Sequence, residues 1–141
     1  MTTPTFAGVE VGTEIPPRTF VVNRESLIRY AGASGDFNVI HWNERSAKAV
    51  GLPDVIAHGM LTMAEVARLI TDWTGDPGAL VEYRLRFSKP VAVPDDEHGT
   101  GIVVTGRVQE KRDGNRVLVA LEASVAGEPV VAAAQAVVRL G

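Results

Sequence analysis

GMLTMAEVARLITDWTGDPGALVEYRLRF, residues 59–87, holds the change of hydrophobic period that decides the fold. In its first half Met60, Met63, Ala64, Ala67 and Ile70 recur three or four apart, with Trp73 one step further on. That spacing predicts a helix of about four turns, from Gly59 to about Thr74, with a wide apolar face. Leu61, Val66 and Leu69 widen the face and leave Glu65, Arg68 and Asp72 as a narrow polar edge, so this helix should be covered on most sides. Gly75-Asp76-Pro77-Gly78 is a turn cluster. Beyond it the period falls to two. Val81, Tyr83, Leu85 and Phe87 face one way and Glu82, Arg84 and Arg86 the other, as in a half-buried strand.

Downstream, residues 101–109, 116–125 and 130–139 read as three more strands. Asp113-Gly114-Asn115 and Gly127-Glu128-Pro129 are the turns between them. Upstream, residues 18–22 suit a short strand. Asn23 is placed to cap a short helix carrying Leu27, Ile28 and Ala31, with Gly32 as its stop. A second short helix starts near Asn43, carries Ala47 and Val50, and ends at Gly51 ahead of Pro53. One long helix followed by four closely spaced strands predicts an α+β fold with an antiparallel sheet. A sheet that curls around the helix would cover its apolar face. Nothing repeats and no linker interrupts the chain, so residues 1–141 read as one domain.

Composition narrows the function. The chain has 14 Lys+Arg against 17 Asp+Glu, a net charge of −3, which argues against a nucleic-acid backbone as partner. It has no Cys, which excludes thiolate nucleophiles, disulfides and Cys-ligated metal centres. No signal peptide, membrane span or basic amphipathic helix is legible, so a cytoplasmic location is expected.

Two stretches can carry chemistry. Tyr30-Ala31-Gly32-Ala33-Ser34-Gly35-Asp36-Phe37-Asn38-Val39-Ile40-His41 sets a carboxylate and an imidazole five residues apart, beside two glycines and an amide. Asp and His form a usual proton-transfer pair, because His titrates near neutral pH and a partly buried Asp can be tuned toward it. Gly35 can take a backbone angle that other residues resist. The plain alternative is a loop in which Asp36 caps the next segment and His41 packs on Trp42. The second stretch, Ala57-His58-Gly59-Met60, precedes the long helix. Unpaired N–H groups at a helix start can stabilise an oxyanion, and Gly59 lets an oxygen approach the backbone. The alternative here is that Gly59 only permits close packing while His58 caps the helix.

Other candidates carry less. His98 lies among Asp95, Asp96, Glu97 and Gly99 and reads as an exposed turn. His41 and His58 lack the spacing of a zinc helix, so no metal is assigned. Met60 and Met63 read as core or pocket lining, and Arg84 and Arg86 as a solvated strand face. Gly32-Ala33-Ser34-Gly35 lacks the strand–helix context of a dinucleotide site.

Taken together, Tyr30 to His41, continuing to Ala47, resembles the hydratase 2 motif of the MaoC-like dehydratases and (R)-specific enoyl-CoA hydratases. Ala57-His58-Gly59-Met60-Leu61 resembles the family's segment at the start of its central helix. The likeness runs on through Gly75-Asp76-Pro77-Gly78 to Arg86-Phe87, and is strongest to the B-type subunit of actinobacterial (3R)-hydroxyacyl-ACP dehydratases. It implies a hot-dog fold, a curved antiparallel sheet wrapped around one long central helix. It also implies reversible conversion of (3R)-hydroxyacyl thioesters to trans-2-enoyl thioesters carried on acyl carrier protein or coenzyme A.

By position the resemblance makes Asp36 and His41 the catalytic pair. It makes Gly59 the N–H that binds the thioester carbonyl, with Asn38, Gly35 and His58 in support. No cofactor is implied. A base, an acid and an N–H donor meet the needs of the chemistry: removal of the weakly acidic α-proton, protonation of the leaving hydroxyl and stabilisation of the enolate oxygen. We assign His41 to the α-carbon and Asp36 to the water or hydroxyl, a division that the residue types alone leave open. Two positions depart from the pattern. Val39 stands where the motif usually has Pro, and Ala67 stands where some hydratases place a Ser on the central helix. The family pairs two hot dogs, as a homodimer or as a heterodimer with a second hot-dog subunit. A hot-dog thioesterase, a non-catalytic partner subunit and a binding module of decayed activity are the competing readings. A thioesterase needs no Gly-Asp-x-Asn…His arrangement, and a non-catalytic subunit would be expected to lack Asp36 or His41.

Overall fold

In the computed structural model, which describes residues 2–141, nine elements follow in chain order. They are β1 (Glu14–Val22), α1 (Arg24–Ser34), α2 (Glu44–Ala49), α3 (Gly59–Thr74), β2 (Leu80–Phe87), β3 (Thr100–Arg112), β4 (Arg116–Val125), β5 (Glu128–Pro129) and β6 (Val131–Arg139). The sheet is antiparallel in the order β1-β3-β4-β6-β2, with the two-residue β5 alongside β4. α3 packs against β1, β2 and β3, so the sheet curves around it. This is the α+β hot-dog arrangement the sequence led us to expect.

The helix termini follow local chemistry. The Asn23 side chain accepts from the Ser26 N–H, and the Ser26 hydroxyl accepts from the Asn23 N–H, a capping box that starts α1. α1 runs past Gly32, where a stop was expected, because Gly32 takes no left-handed angle. The helix closes at Gly35 with φ 76°, a conformation that costs glycine little. Leu27 and Ala31 are buried, while Ile28 faces outward. Asn43 caps α2, which buries Ala47 and leaves Val50 exposed.

The buried face of α3 is Thr62, Val66, Leu69, Ile70 and Thr74. This is a correction to the stripe read from sequence. Met60 is 60% exposed and Ala64 is exposed, whereas two threonines lie inside. Gly106 on β3 explains how the helix sits so close. A methyl there would meet Ile15, Leu69 and Leu121 side chains at 3.1–3.3 Å. β2 also departs from strict alternation. Register shifts between Leu80 and Glu82 and between Arg84 and Arg86 leave Tyr83 and Leu85 half-buried and Val81 and Phe87 exposed. The Tyr83 hydroxyl donates to the Met63 carbonyl at 2.8 Å, tying β2 to α3, and burial pushes its pKa above the ordinary tyrosine value. Among the described residues, no helix is long and apolar enough to cross a membrane.

Candidate active site

The loop after α1 carries the site. Asn38 begins a short 3-10 turn, Val39–His41, and its side chain accepts from the Ile40 N–H at 3.3 Å. Its own N–H donates to Asp36 Oδ1 at 3.2 Å. Asn38 therefore shapes the loop that joins Asp36 to His41. The turn is pinned from the other side by residues 55–57. Ile56 N–H donates to the Ile40 carbonyl, Ala57 N–H to Val91 and Val93 N–H to Val55, all at 2.8–3.1 Å. Arg24 anchors this segment through Asp54 and the Val93 carbonyl, each at 2.7 Å.

His41 is buried, and its Nδ1 lies 2.7 Å from the Ile56 carbonyl. A carbonyl can only accept, so Nδ1 carries the proton, and Nε2 of the neutral ring is a bare lone pair. That Nε2 lies 3.8 Å from Asp36 Oδ2, whose side chain is 51% exposed. The gap exceeds a hydrogen bond and leaves both atoms free to meet a substrate. His41 does not pack on Trp42. Trp42 turns away, its indole N–H donating to the Phe37 carbonyl at 3.0 Å. The His41 ring instead stacks on His58, centroids 3.8 Å apart and planes 23° apart.

His58 sits at the start of α3, but its side chain makes no capping bond. Nε2 lies 3.1 Å from the Asp36 main-chain carbonyl and so must donate to it. Nδ1 is the one buried side-chain nitrogen or oxygen without a hydrogen-bond partner among the described residues. Burial pushes the His58 pKa below its ordinary value, and the neighbouring His41 adds to this against the Asp36 carbonyl. The ring is therefore neutral at neutral pH.

Gly59, the first residue of α3, has an N–H with no partner inside the helix. A methyl at Gly59 would stand 3.1 Å from Cζ of Phe87, so the absent side chain is what lets this aromatic ring approach the helix start. His41, Gly59, Thr62, Phe87 and Lys89 line a cleft of about 350 Å³. Thr62 was not singled out in the sequence. Its position one turn after Gly59, on the same helix face, was the available signal. It gives α3 a hydroxyl-bearing residue on the cleft wall, while Ala67 is not part of that wall. A larger hollow of about 560 Å³ lies on the sheet face turned away from α3, lined by Thr105, Gln109, Glu122 and Ser124 among others. It contains none of the residues above.

Asp36, His41 and His58 bring three ligand-type atoms within 4.8 Å of one another. The set does not suit a metal. The two imidazoles are stacked nearly parallel, so their in-plane lone pairs run side by side and do not converge on a point. His98 is exposed in its turn, its N–H bonded to Asp96, and Arg84 and Arg86 are exposed on β2.

An antiparallel sheet wrapped around one helix defines a hot-dog domain, and here an Asp/His pair lies beside that helix's N-terminus. The chain belongs to the MaoC-like family: the MaoC like domain matches residues 7–127. It is 42% identical over 83 residues to 3-hydroxyacyl-thioester dehydratase X of Mycobacterium tuberculosis, covering 57% of this chain and 29% of that protein. It is 34% identical over 92 residues to the (R)-specific enoyl-CoA hydratase of Rhodospirillum rubrum, covering 64% and 63%. A solved MaoC-like dehydratase superposes with a TM-score of 0.94 at 40% identity, covering 99% of this chain and 43% of that one. The chain thus spans less than two thirds of each of these proteins.

Proposed function

We propose that this protein is a hydro-lyase interconverting (3R)-hydroxyacyl and trans-2-enoyl thioesters, acting as one domain over residues 1–141. The observation that carries the reading is the placement of His41 Nε2 and Asp36 Oδ2, 3.8 Å apart and without a bond between them, beside the cleft that His41 and Gly59 line. The named activities of the relatives support it.

In the dehydration direction, neutral His41 takes the α-proton at Nε2, and the electrons of the C–H bond move toward the thioester carbonyl. The Gly59 N–H, at the positive end of α3, stabilises the charge on that oxygen. Protonated Asp36 gives its proton to the β-hydroxyl, the C–O bond breaks and water leaves. The pair holds one proton throughout, on Asp36 before dehydration and on His41 after it. In hydration the same proton starts on His41, and ionised Asp36 takes one from water. Donor and acceptor lie on one side of the substrate, so addition is syn. Asn38 and Gly35 shape the loop, and His58 supports the pair. Acyl carrier protein or coenzyme A bears the acyl group. A second hot-dog subunit, identical or not, completes the working unit in the cytoplasm.

The test is hydration of crotonyl-CoA, followed at the enoyl absorbance with chiral analysis of the product. The (R)-3-hydroxy product is expected. The Asp36→Asn and His41→Gln proteins should each lose about 10²- to 10⁴-fold in turnover, the usual share of a general acid or base. Near-normal turnover in either variant would remove it from the pair. Release of free coenzyme A would put the thioesterase reading in place of this one.

A further inference from the structure

His58 is 1% exposed and touches both reacting residues, the main chain of one and the ring of the other. We propose that His58 is a positioning residue that clamps the pair, its Nε2–H holding the main chain of Asp36 and its ring face holding the imidazole of His41. The proposal rests on the reading of Asp36 and His41 as the reacting groups.

Three features support it. The Nε2 to Asp36 carbonyl contact, at 3.1 Å, fixes the peptide from which the carboxylate projects, and Asp36 otherwise sits in an exposed loop. The stacked ring, 3.8 Å from His41, limits rotation of an imidazole already tied at Nδ1 to Ile56. The cost is visible at Nδ1, a buried acceptor with no partner. A phenyl ring would stack without that cost, and a glutamine would reach the carbonyl without a ring. An imidazole does both. Neutrality also serves the chemistry, because a cation on the face of His41 would oppose the proton that His41 must carry. Besides His41 and Asp36, the ring facing His58 is that of Tyr30 on α1, 4.7 Å away.

The test separates the two contacts. His58→Phe keeps a flat ring and loses the N–H, while His58→Gln keeps an N–H donor and loses the ring. Each should lower kcat for crotonyl-CoA hydration about tenfold or more while KM moves less than about twofold, as for misplacement of reacting groups. Wild-type kcat in either variant overturns the double clamp, and so does a loss confined to KM. A second measurement stands apart from turnover and from the folding of variants. Long-range ¹H–¹⁵N correlation on the wild-type protein at neutral pH should show His58 neutral, with the proton on Nε2. A protonated ring or an Nδ1–H tautomer overturns the proposal. An inactive wild-type protein with the expected spectrum would instead count against the proposed reaction and leave the clamp standing.

Discussion

Val39 occupies the first position of the 3-10 turn that delivers His41, where its own N–H is not needed. Asn38 before it has φ −56° and ψ 126°, a conformation that a following proline accepts. Val39→Pro should therefore fit the loop as it stands and stabilise the protein by about 0.4–1 kcal/mol through the unfolded chain. Chemical denaturation would read this, and a loss of stability would show that the turn depends on the valine. The motif's departure at this position thus leaves the turn intact, because the Asn38 side chain supplies the restraint. His58 gives a pH prediction. Its folded pKa lies below the unfolded value near 6.5, so the unfolded chain binds more protons as pH falls through that range. The contribution to stability is present above 6.5 and lost on acidification. Wild-type Tm should drop more between pH 7.5 and 5.5 than that of His58→Phe, and equal drops would contradict the depressed pKa. Asp36, His41 and Gly59 stood out in the sequence because their residue types suit proton transfer and oxyanion binding. The stacking of His58 on His41 was not, since seventeen residues separate them in sequence and only the 55–57 segment brings them together.

At the scale of elements, α3 shows where periodicity succeeds and where it misleads. The helix spans Gly59–Thr74 as its spacing predicts, because the 3.6-residue pattern and the glycine at each end agree. The buried face differs from the stripe because Thr62 and Thr74, which the apolar spacing leaves out, lie inside. The Thr74 hydroxyl donates to the Ile70 carbonyl at 3.0 Å, so it enters the core already paired. Met60 and Met63 read as core or pocket lining, yet Met60 stands in the open. The junction of α3 with β2 carries its own prediction. Gly59→Ala places a methyl against Phe87, a half-exposed ring at the end of β2 that can swing outward. The stability loss should stay near the low end of overpacking, about 1 kcal/mol. Turnover should fall about tenfold, because both the ring and the approach to the N–H are displaced from a geometry the reaction needs. Adding Phe87→Leu should restore the melting temperature but not the rate. Recovery of both would reduce Gly59 to a packing residue.

At the scale of the whole molecule, the two open edges of the sheet are unlike. β1 carries Pro16 and Pro17, which lack the backbone N–H that an added strand would need. β2 has no proline, and its exposed positions include Val81, 45% accessible, and Phe87, 51% accessible, at opposite ends of the strand. β2 too is irregular, with register shifts between Leu80 and Glu82 and between Arg84 and Arg86, and it carries Glu82, Arg84 and Arg86 between its apolar ends, the two arginines exposed. Without a proline, though, its free backbone groups can still pair with a second chain. Phe87 also lines the cleft, so whatever pairs with β2 would build against the site. The sequence made an assembly expected only through resemblance, since which strand lies at an edge depends on the order β1-β3-β4-β6-β2 and not on any local pattern. The protein should run in light scattering at no less than twice the chain mass of 15.0 kDa. Val81→Lys, far along the strand from Asp36 and His41, should shift it to the single-chain mass, since it replaces an exposed apolar side chain of the strand with a charge. Turnover should fall with the mass, because the cleft beside Phe87 loses its outer wall. A variant that stays associated would move the contact away from β2. A single chain with full turnover would show that one hot dog suffices.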